Sequence, residues 1–278
     1  MLHFVKAHAY GNDFLYVRVD EVDGVALDLL AREMCDRHTG IGADGLIVYQ
    51  RTADGASMRL LNADGSRAEV SGNGVRALCA WLLGERDRQR ADAGEPFLDA
   101  AELTIQTEAG SKRLTRLRRE QARQTFRGAM GLPTGLREVT ITAGGETIRG
   151  TVMNIGNPQC VVIGPLPEEE RFRRLGAAIE HHQIFPEGTN VEFAQVEADT
   201  RIRLLIWERG VGPTTSSGTG SCAALVAAAA FGGAARDADV VAPGGAQRVE
   251  WRDDNIYLTG WAEVLCEGHW LRTLPAAP

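Results

Sequence analysis

The sequence predicts an α+β or barrel-like architecture built from two similar lobes. Three observations carry this. Short strand-like segments far outnumber helical ones, Gly, Asp and Asn turns separate them, and a set of motifs recurs at a near-constant offset. The strand-like segments are rich in β-branched and aromatic residues. In order they are Phe4 to Ala7, Phe14 to Val19, Leu46 to Tyr49, Met58 to Asn62, Leu103 to Thr107 and Val139 to Thr142. After these come Cys160 to Ile163, Asn190 to Phe193, Ile202 to Trp207, Val249 to Trp251 and Ile256 to Thr259. Helices are expected over Leu27 to Arg37, Asn73 to Leu83, Arg171 to Glu180 and Gly220 to Phe231. The charged stretch Gly84 to Glu95 has no apolar periodicity and reads as a solvated loop.

The repeat is long in period. Gly11-Asn12-Asp13 has a counterpart in Gly156-Asn157-Pro158, an offset of 145 (157 − 12). Gly42-Ala43-Asp44 matches Gly188-Thr189-Asn190, Asn62 matches Glu208, and Ser71 matches Ser217, each at 146 (190 − 44, 208 − 62, 217 − 71). Turn residues recur in any β-rich chain, but four correspondences at a near-constant offset point to duplication. The implied lobes are 1–117, with 266–278 returning to it, and 118–265. A cleft between such lobes is a favoured place for a small-molecule site.

Composition excludes several classes. Hydrophobic residues make up 44% and charged residues 24% of the 278, as in an ordinary globular chain. The net charge of −7 argues against nucleic acid as partner, and no apolar run reaches membrane-spanning length. Met1-Leu-His-Phe-Val-Lys reads as a strand rather than a signal peptide. The five cysteines (Cys35, Cys79, Cys160, Cys222, Cys266) are scattered and form no CxxC pair, so a reduced, cytoplasmic protein is expected. No metal and no cofactor are expected.

Two matching tetrads locate the chemistry: Ser71-Gly72-Asn73-Gly74 and Ser217-Gly218-Thr219-Gly220, each opening an apolar, alanine-containing run. A Gly-rich turn into a helix presents free N–H groups at the positive end of the helix dipole. A lone SGxG is most simply a helix N-cap. Two of them could grip one carboxylate through Gly72, Asn73, Gly218 and Thr219 and set residues 71 and 217 on opposite faces of an α-carbon. A base on one face and an acid on the other inverts a stereocentre, with the developing charge held by the N–H groups.

The chain resembles the diaminopimelate epimerase family over nearly its whole length. The matching stretches are His8-Ala-Tyr-Gly-Asn-Asp-Phe14, Asp36-Arg-His-Thr-Gly-Ile-Gly-Ala-Asp-Gly45, Leu61-Asn-Ala-Asp-Gly-Ser66 and Ser71-Gly-Asn-Gly-Val-Arg76. Three more are Met153-Asn-Ile-Gly-Asn-Pro158, Trp207-Glu-Arg-Gly-Val-Gly212 and Ser217-Gly-Thr-Gly-Ser-Cys-Ala-Ala224. The resemblance implies two pseudo-symmetric lobes, each a sheet or barrel wrapped around a central helix. It implies cofactor-independent inversion at an amino-acid α-carbon and commonly a homodimer, although Trp261 to Leu274 lacks the family's tyrosine pattern at that contact. It implies that Asn12, Asn62, Asn157, Asn190 and Arg209, with Glu208 alongside, stand where the family binds the non-reacting end of its substrate. Arg209 offers a fork of donors to a carboxylate, and each Asn both donates and accepts. Taken singly, an Asn could instead be a turn residue and Arg209 a surface charge.

The catalytic positions depart from the family. It carries cysteine where this chain has Ser71 and Ser217, and histidine where it has Gln159. A thiol ionises near pH 8.5, whereas an alcohol needs a strong adjacent base. Gln159 does not titrate, so Glu208 is the one ionisable partner, beside Ser217. Cys79, Cys160 and Cys222 are placed to face the core and not to replace the thiols.

Three readings follow. The first is an isomerase of altered chemistry on an amino acid with a second polar head, including a one-base isomerase or a dehydratase of a β-substituted amino acid using Glu208. A phenazine-pathway isomerase of similar fold works with a carboxylate and no thiol pair, and in the proline racemase family a hydroxyl at one cysteine position goes with dehydration. The second is diaminopimelate epimerisation through two serines. The third is an inactive amino-acid-binding homologue. A deliberate Cys→Ser replacement of an epimerase would account for both serines but not for Gln159.

Overall fold

The computed structural model of the chain describes residues 1–68, 71–96 and 100–277. It divides into two units, Met1–Gly128 with the stretch from Trp261 onward, and Ala129–Gly260. The first unit contains β1 (Leu2–Ala9), β2 (Asn12–Arg18), α1 (Leu27–Cys35), β3 (Gly45–Thr52), β4 (Gly55–Asn62) and the short β5 (Arg67–Ala68). Then come α2 (Gly72–Asp92), β6 (Ala101–Thr107), β7 (Gly110–Glu120) and β8 (Arg123–Ala129). The second contains β9 (Thr134–Ala143), β10 (Glu146–Asn154), β11 (Pro158–Ile163), α3 (Glu169–Glu180), β12 (Asn190–Ala198) and β13 (Arg201–Glu208). It continues with β14 (Gly212–Thr214), α4 (Gly218–Phe231), β15 (Asp237–Ala242) and β16 (Gly245–Trp251), and β17 (Ile256–Trp270) starts in it and ends in the first unit.

Strand pairing repeats. In the first unit β1–β2 is an antiparallel hairpin, β2–β3 is parallel across α1, β3–β4 is antiparallel, and β4–β6 is parallel across α2. Hairpins β6–β7 and β7–β8 follow, and β17 pairs with both β8 and β1, which closes the ring. The second unit runs the same way: β10–β11 antiparallel, β11–β12 parallel across α3, β12–β13 antiparallel, β13–β15 parallel across α4, then β15–β16 and β16–β17. Strand β9 pairs with β10, and Met130 and Gly131, just before β9, exchange backbone hydrogen bonds of 2.8 and 3.1 Å with Ile256 on β17. The fold is α+β, with one topology used twice.

Strand alternation explains the layers, because successive side chains point to opposite faces. On β2 and β3, Phe14, Tyr16, Ile47 and Tyr49 pack inward on α2, whereas Leu15, Val17, Leu46 and Val48 pack outward on α1. In the second unit Val161, Ala194, Ile202 and Leu204 pack on α4, while Cys160, Val191 and Phe193 pack on α3. The central helices are therefore enclosed: residues Asn73 to Gly84 of α2 are buried on every side, and its last turns are charged. Residues Cys222 to Ala228 of α4 are all fully buried, the pattern of a helix enclosed by sheet.

Three expectations need correction. The stretch Gly84 to Glu95 is not a loop, since α2 continues through it to Asp92. Its Glu, Arg, Gln and Ala residues are good helix formers, and helix needs no apolar stripe where one turn is held by ion pairs. Asp87 is buried there, bound by Arg116 at 2.6 and 3.1 Å and by Arg119 at 2.8 Å. The lobe boundary falls at Gly128, not 117, because β7 runs on to Glu120 and folds back as β8, and the return starts at Trp261, not 266. Strand β7 itself escaped notice because its basic residues mask the alternation; ladder hydrogen bonds hold it.

Arg116 is fully buried, and its guanidinium also donates to Gln124 at 3.0 Å, which in turn donates to the Ala80 carbonyl of α2 at 2.7 Å. Removing one partner of a buried pair leaves the other charge uncompensated. Asp87→Ala is expected to lower stability by about 3–5 kcal/mol, read from urea denaturation. An unchanged midpoint would show that the network adds nothing.

Candidate active site

Both serines cap helices in the same way. Ser71 has extended backbone (φ −125°, ψ 121°) and its Oγ accepts the Gly74 N–H of α2 at 3.2 Å. Ser217 (φ −137°, ψ 129°) does the same with Gly220 N–H of α4 at 3.1 Å. Space is tight at the glycine three residues on. A Cβ on Gly74 would lie 2.8 Å from Ile47 Cδ1, and one on Gly220 would lie 2.8 Å from Glu192 Oε1. The next residues, Gly72 and Asn73 on α2 and Gly218 and Thr219 on α4, occupy the first turn, where N–H groups have no intrahelical acceptor.

In the first unit the polar residues form a connected run. Arg76 donates to Asn73 Oδ1 at 3.0 Å, Asn73 to Asn12 Oδ1 at 3.4 Å, and Asn12 to Asp44 at 2.7 Å. Arg37 bridges Asp44 and Asp13 at 2.8 and 2.7 Å, and Lys6 adds an ion pair to Asp13 at 3.0 Å. Burial alone would raise the Asp13 carboxyl, but the hydrogen bonds from Arg37 and Lys6 outweigh it and hold it below the usual range. The acidic groups here are thus committed to cations. Asn62 ends β4, is exposed, and donates to Ser66 at 3.0 Å.

In the second unit Glu208 ends β13, the position Asn62 has on β4. Burial pushes its carboxyl up to about 7, against hydrogen bonds from Ser217 and Thr214 that pull it down. Ser217 therefore donates to a carboxylate that is half-protonated near neutral pH and accepts from the helix. Asn190 is fixed at both ends, donating to the Pro158 carbonyl at 3.1 Å and accepting Arg209 N–H at 3.0 Å. Glu180, buried at the end of α3, takes Trp207 Nε1 and Gly210 N–H at 2.7 Å each and so anchors the Glu208-Arg209 turn. The Arg209 side chain is exposed, with one guanidinium nitrogen on the Glu187 carbonyl at 3.1 Å. Gln159 is fully buried, with its amide nitrogen 2.6 Å from Asn157 Oδ1, and Asn157 approaches Thr219 Oγ1 at 3.5 Å.

The cysteines lie away from this chemistry. Cys79, Cys160 and Cys222 are fully buried, and burial pushes the Cys79 and Cys160 thiols up to about 12. Among the described residues no cluster of His, Cys, Asp and Glu could hold a metal ion, and no helix is long and apolar enough to cross a membrane.

One acidic residue went unnoticed in the sequence. Glu192 is fully buried on β12, facing α4 with Ala194, and its oxygens lie 2.9 and 3.2 Å from the end of the Gln159 amide that points away from Asn157. Burial, and then repulsion from Glu208, raise its carboxyl well above the usual range. The signal was present: an acid in the apolar run Val191-Glu-Phe-Ala194, on the same strand face as Asn190.

The family described as diaminopimelate epimerase matches residues 4–131 and 151–265. The chain belongs to the diaminopimelate epimerase family. It is 38% identical to the diaminopimelate epimerase of Desulforudis audaxviator, over 98% of this chain and all of that one. It is 37% identical to that of Pelotomaculum thermopropionicum, over 97% and 99%. Among solved structures it shares the fold of a hydroxyproline epimerase from Agrobacterium vitis with bound trans-4-hydroxy-L-proline. That likeness has a TM-score of 0.66 and 16% identity, over 96% of this chain and 91% of the other. Membership of the diaminopimelate epimerase family makes the chain an isomerase of the amino-acid epimerase type.

Proposed function

We propose that the chain moves a proton at the α-carbon of an amino acid with a second polar head, diaminopimelate-like in size and charge, without a cofactor. One observation carries this reading: Ser217 hydrogen-bonds a Glu208 carboxylate whose proton affinity is poised near neutrality. Such a carboxylate is a stronger base than a solvated one and remains ionised in part at pH 7. Glu208 takes the α-proton directly or through Ser217. The first-turn N–H groups at Gly218 and Thr219 stabilise the carboxylate as charge moves onto it. In the second unit Arg209, Asn157 and Asn190 hold the distal amino-acid head.

The asymmetry of the half-sites favours one working face. Ser217 has Glu208, while the acids near Asn12 and Asn73 are tied to Arg37 and Lys6. A single base supports a one-face proton shift, exchange, or loss of a β-substituent more readily than inversion. A homodimer and a cytoplasmic location belong to this reading, the second in keeping with the free thiols.

The test is α-proton exchange in deuterated water, followed by NMR with LL-diaminopimelate and then β-hydroxylated amino acids. Exchange with retained configuration is the expected result. Tight binding with no exchange of any candidate would overturn the catalytic reading in favour of a binding protein.

A further inference from the structure

We propose that Glu192 is a positioning residue that sets which end of the Gln159 amide faces Asn157 and Thr219. One end of that amide lies 2.9 and 3.2 Å from the two Glu192 oxygens. The other lies 2.6 Å from Asn157 Oδ1, 3.2 Å from Thr219 Oγ1 and 3.3 Å from Asn190 Nδ2. Two arrangements compete, each with one mismatch: a Gln159 nitrogen at this end meets the Asn190 nitrogen at 3.3 Å, and a Gln159 oxygen there meets Asn157 Oδ1 at 2.6 Å; the protonation of Glu192 selects between them.

With Glu192 neutral, its O–H donates to the Gln159 oxygen, the Gln159 N–H donates to Asn157 Oδ1, and the Asn157 N–H points to Thr219 Oγ1. No other amide has to turn. With Glu192 ionised, the Gln159 nitrogen must turn to the carboxylate, which brings the Gln159 oxygen onto Asn157 Oδ1 at 2.6 Å. Two oxygens at that distance repel, so Asn157 must turn as well. Asn190 cannot share the change, because Pro158 and Arg209 fix both its ends.

The groups facing Glu192 favour the neutral state. Strand β13 supplies the Glu208 carboxyl, β11 supplies the uncharged Gln159, and α4 brings Gly220 within van der Waals reach. Burial and the neighbouring Glu208 carboxyl both disfavour a charge on Glu192. An amide, unlike the imidazole of the family's pattern, has two ends of opposite polarity and no charge of its own. A neutral carboxyl at Glu192 is what gives it one direction.

The consequence for ligand binding rests on the proposed function, but the device itself is visible in the free protein. The experiment uses full-length apo protein labelled with 13C at glutamate carboxyls and 15N at glutamine side chains, titrated from pH 5 to 10 by NMR. Assignment comes from Glu192→Gln and Gln159→Asn. The Glu192 carboxyl is expected at the protonated position at pH 7. The Gln159 NH2 signals are expected either to shift with the same midpoint as Glu192 or to stay in one state while it stays protonated. Glu192→Gln, whose own N–H can donate to the Gln159 oxygen, should make those signals independent of pH, and Glu192→Ala should shift them at every pH.

An ionised Glu192 at pH 7 would overturn the proposal, as would a Glu192 titration without a matching step at Gln159. Should the variants not fold, the wild-type titration alone decides. Calorimetry with LL-diaminopimelate adds a separate reading: Glu192→Gln should bind within about twofold of wild type and Glu192→Ala about tenfold more weakly, the cost of one misdirected hydrogen bond. No binding by wild type would overturn the substrate assignment while leaving the titration to decide the role of Glu192.

Discussion

Ser71→Cys, Ser217→Cys and Gln159→His, combined in one chain, are expected to raise epimerisation of LL-diaminopimelate by about 10²–10⁴-fold, the range of a well-placed acid–base pair. The argument is one of acidity. A thiol is ionisable near neutral pH and an alcohol is not, so the serines leave proton transfer to Glu208 alone. The scaffold that would receive the thiols is in place. Both positions cap helices through equivalent hydrogen bonds of 3.2 and 3.1 Å, and both open on first-turn N–H groups. Sulfur is larger than oxygen, but Ser71 is partly exposed and Gly72 has open space beside it. Inversion is measured by the appearance of meso-diaminopimelate together with solvent deuterium. A folded triple variant that binds but does not invert LL-diaminopimelate would count against this substrate. A triple variant with no gain over Ser217→Cys alone would show that the first half-site contributes no acid–base group.

Glu208→Gln is expected to reduce α-proton exchange by about 10²–10⁴-fold and to stabilise the protein at alkaline pH. The wild-type rate should rise as Glu208 ionises, with a midpoint near the value of about 7 to which burial raises it, and level off above that. The rising limb should vanish in the variant. Stability moves the other way. Between the unfolded value near 4.5 and the folded value of about 7, the folded chain holds a proton that the unfolded chain has lost. Stability from this group is therefore complete below about 4.5 and lost as pH rises through about 7. At pH 8 the variant should exceed wild type by at most about 3 kcal/mol, because solvent reaching the partly exposed carboxylate lowers the penalty. At pH 4 the difference should disappear. Urea denaturation at both values reads it, and equal stability at pH 8 would mean that Glu208 is not strained in its site.

Glu192 and Glu208 show how two buried acids can be told apart. Glu208 has hydroxyl donors, Ser217 and Thr214, and settles where it can act as a base. Glu192 has burial and a neighbouring acid against its charge and settles as a donor. Both lie on strands that end or pass beside the first turn of α4, yet only one reaches the serine.

Much of the fold was legible because its signals are local. Strand alternation at Phe14 to Val17 and Leu46 to Tyr49, capping serines before Gly-rich turns, and the offset of 146 residues between Ser71 and Ser217 are all properties of neighbouring residues or of simple repetition. Sequence failed where one element depends on a distant partner. The last turns of α2 look like a loop until Asp87 meets Arg116 and Arg119 on β7, and β7 looks like a charged linker until β6 and β8 pair with it.

The sequence by itself determined the repeated α+β plan, the family, and the residue types at Ser71, Ser217 and Gln159, two hydroxyls and an amide. Residue type alone decides acidity, and no arrangement makes Gln159 titrate. Only the tertiary structure decided which acids matter and in what state. Desolvation and the donors around a carboxylate depend on residues far apart in the chain, as Glu192 with Gln159 and Glu208 with Ser217 show.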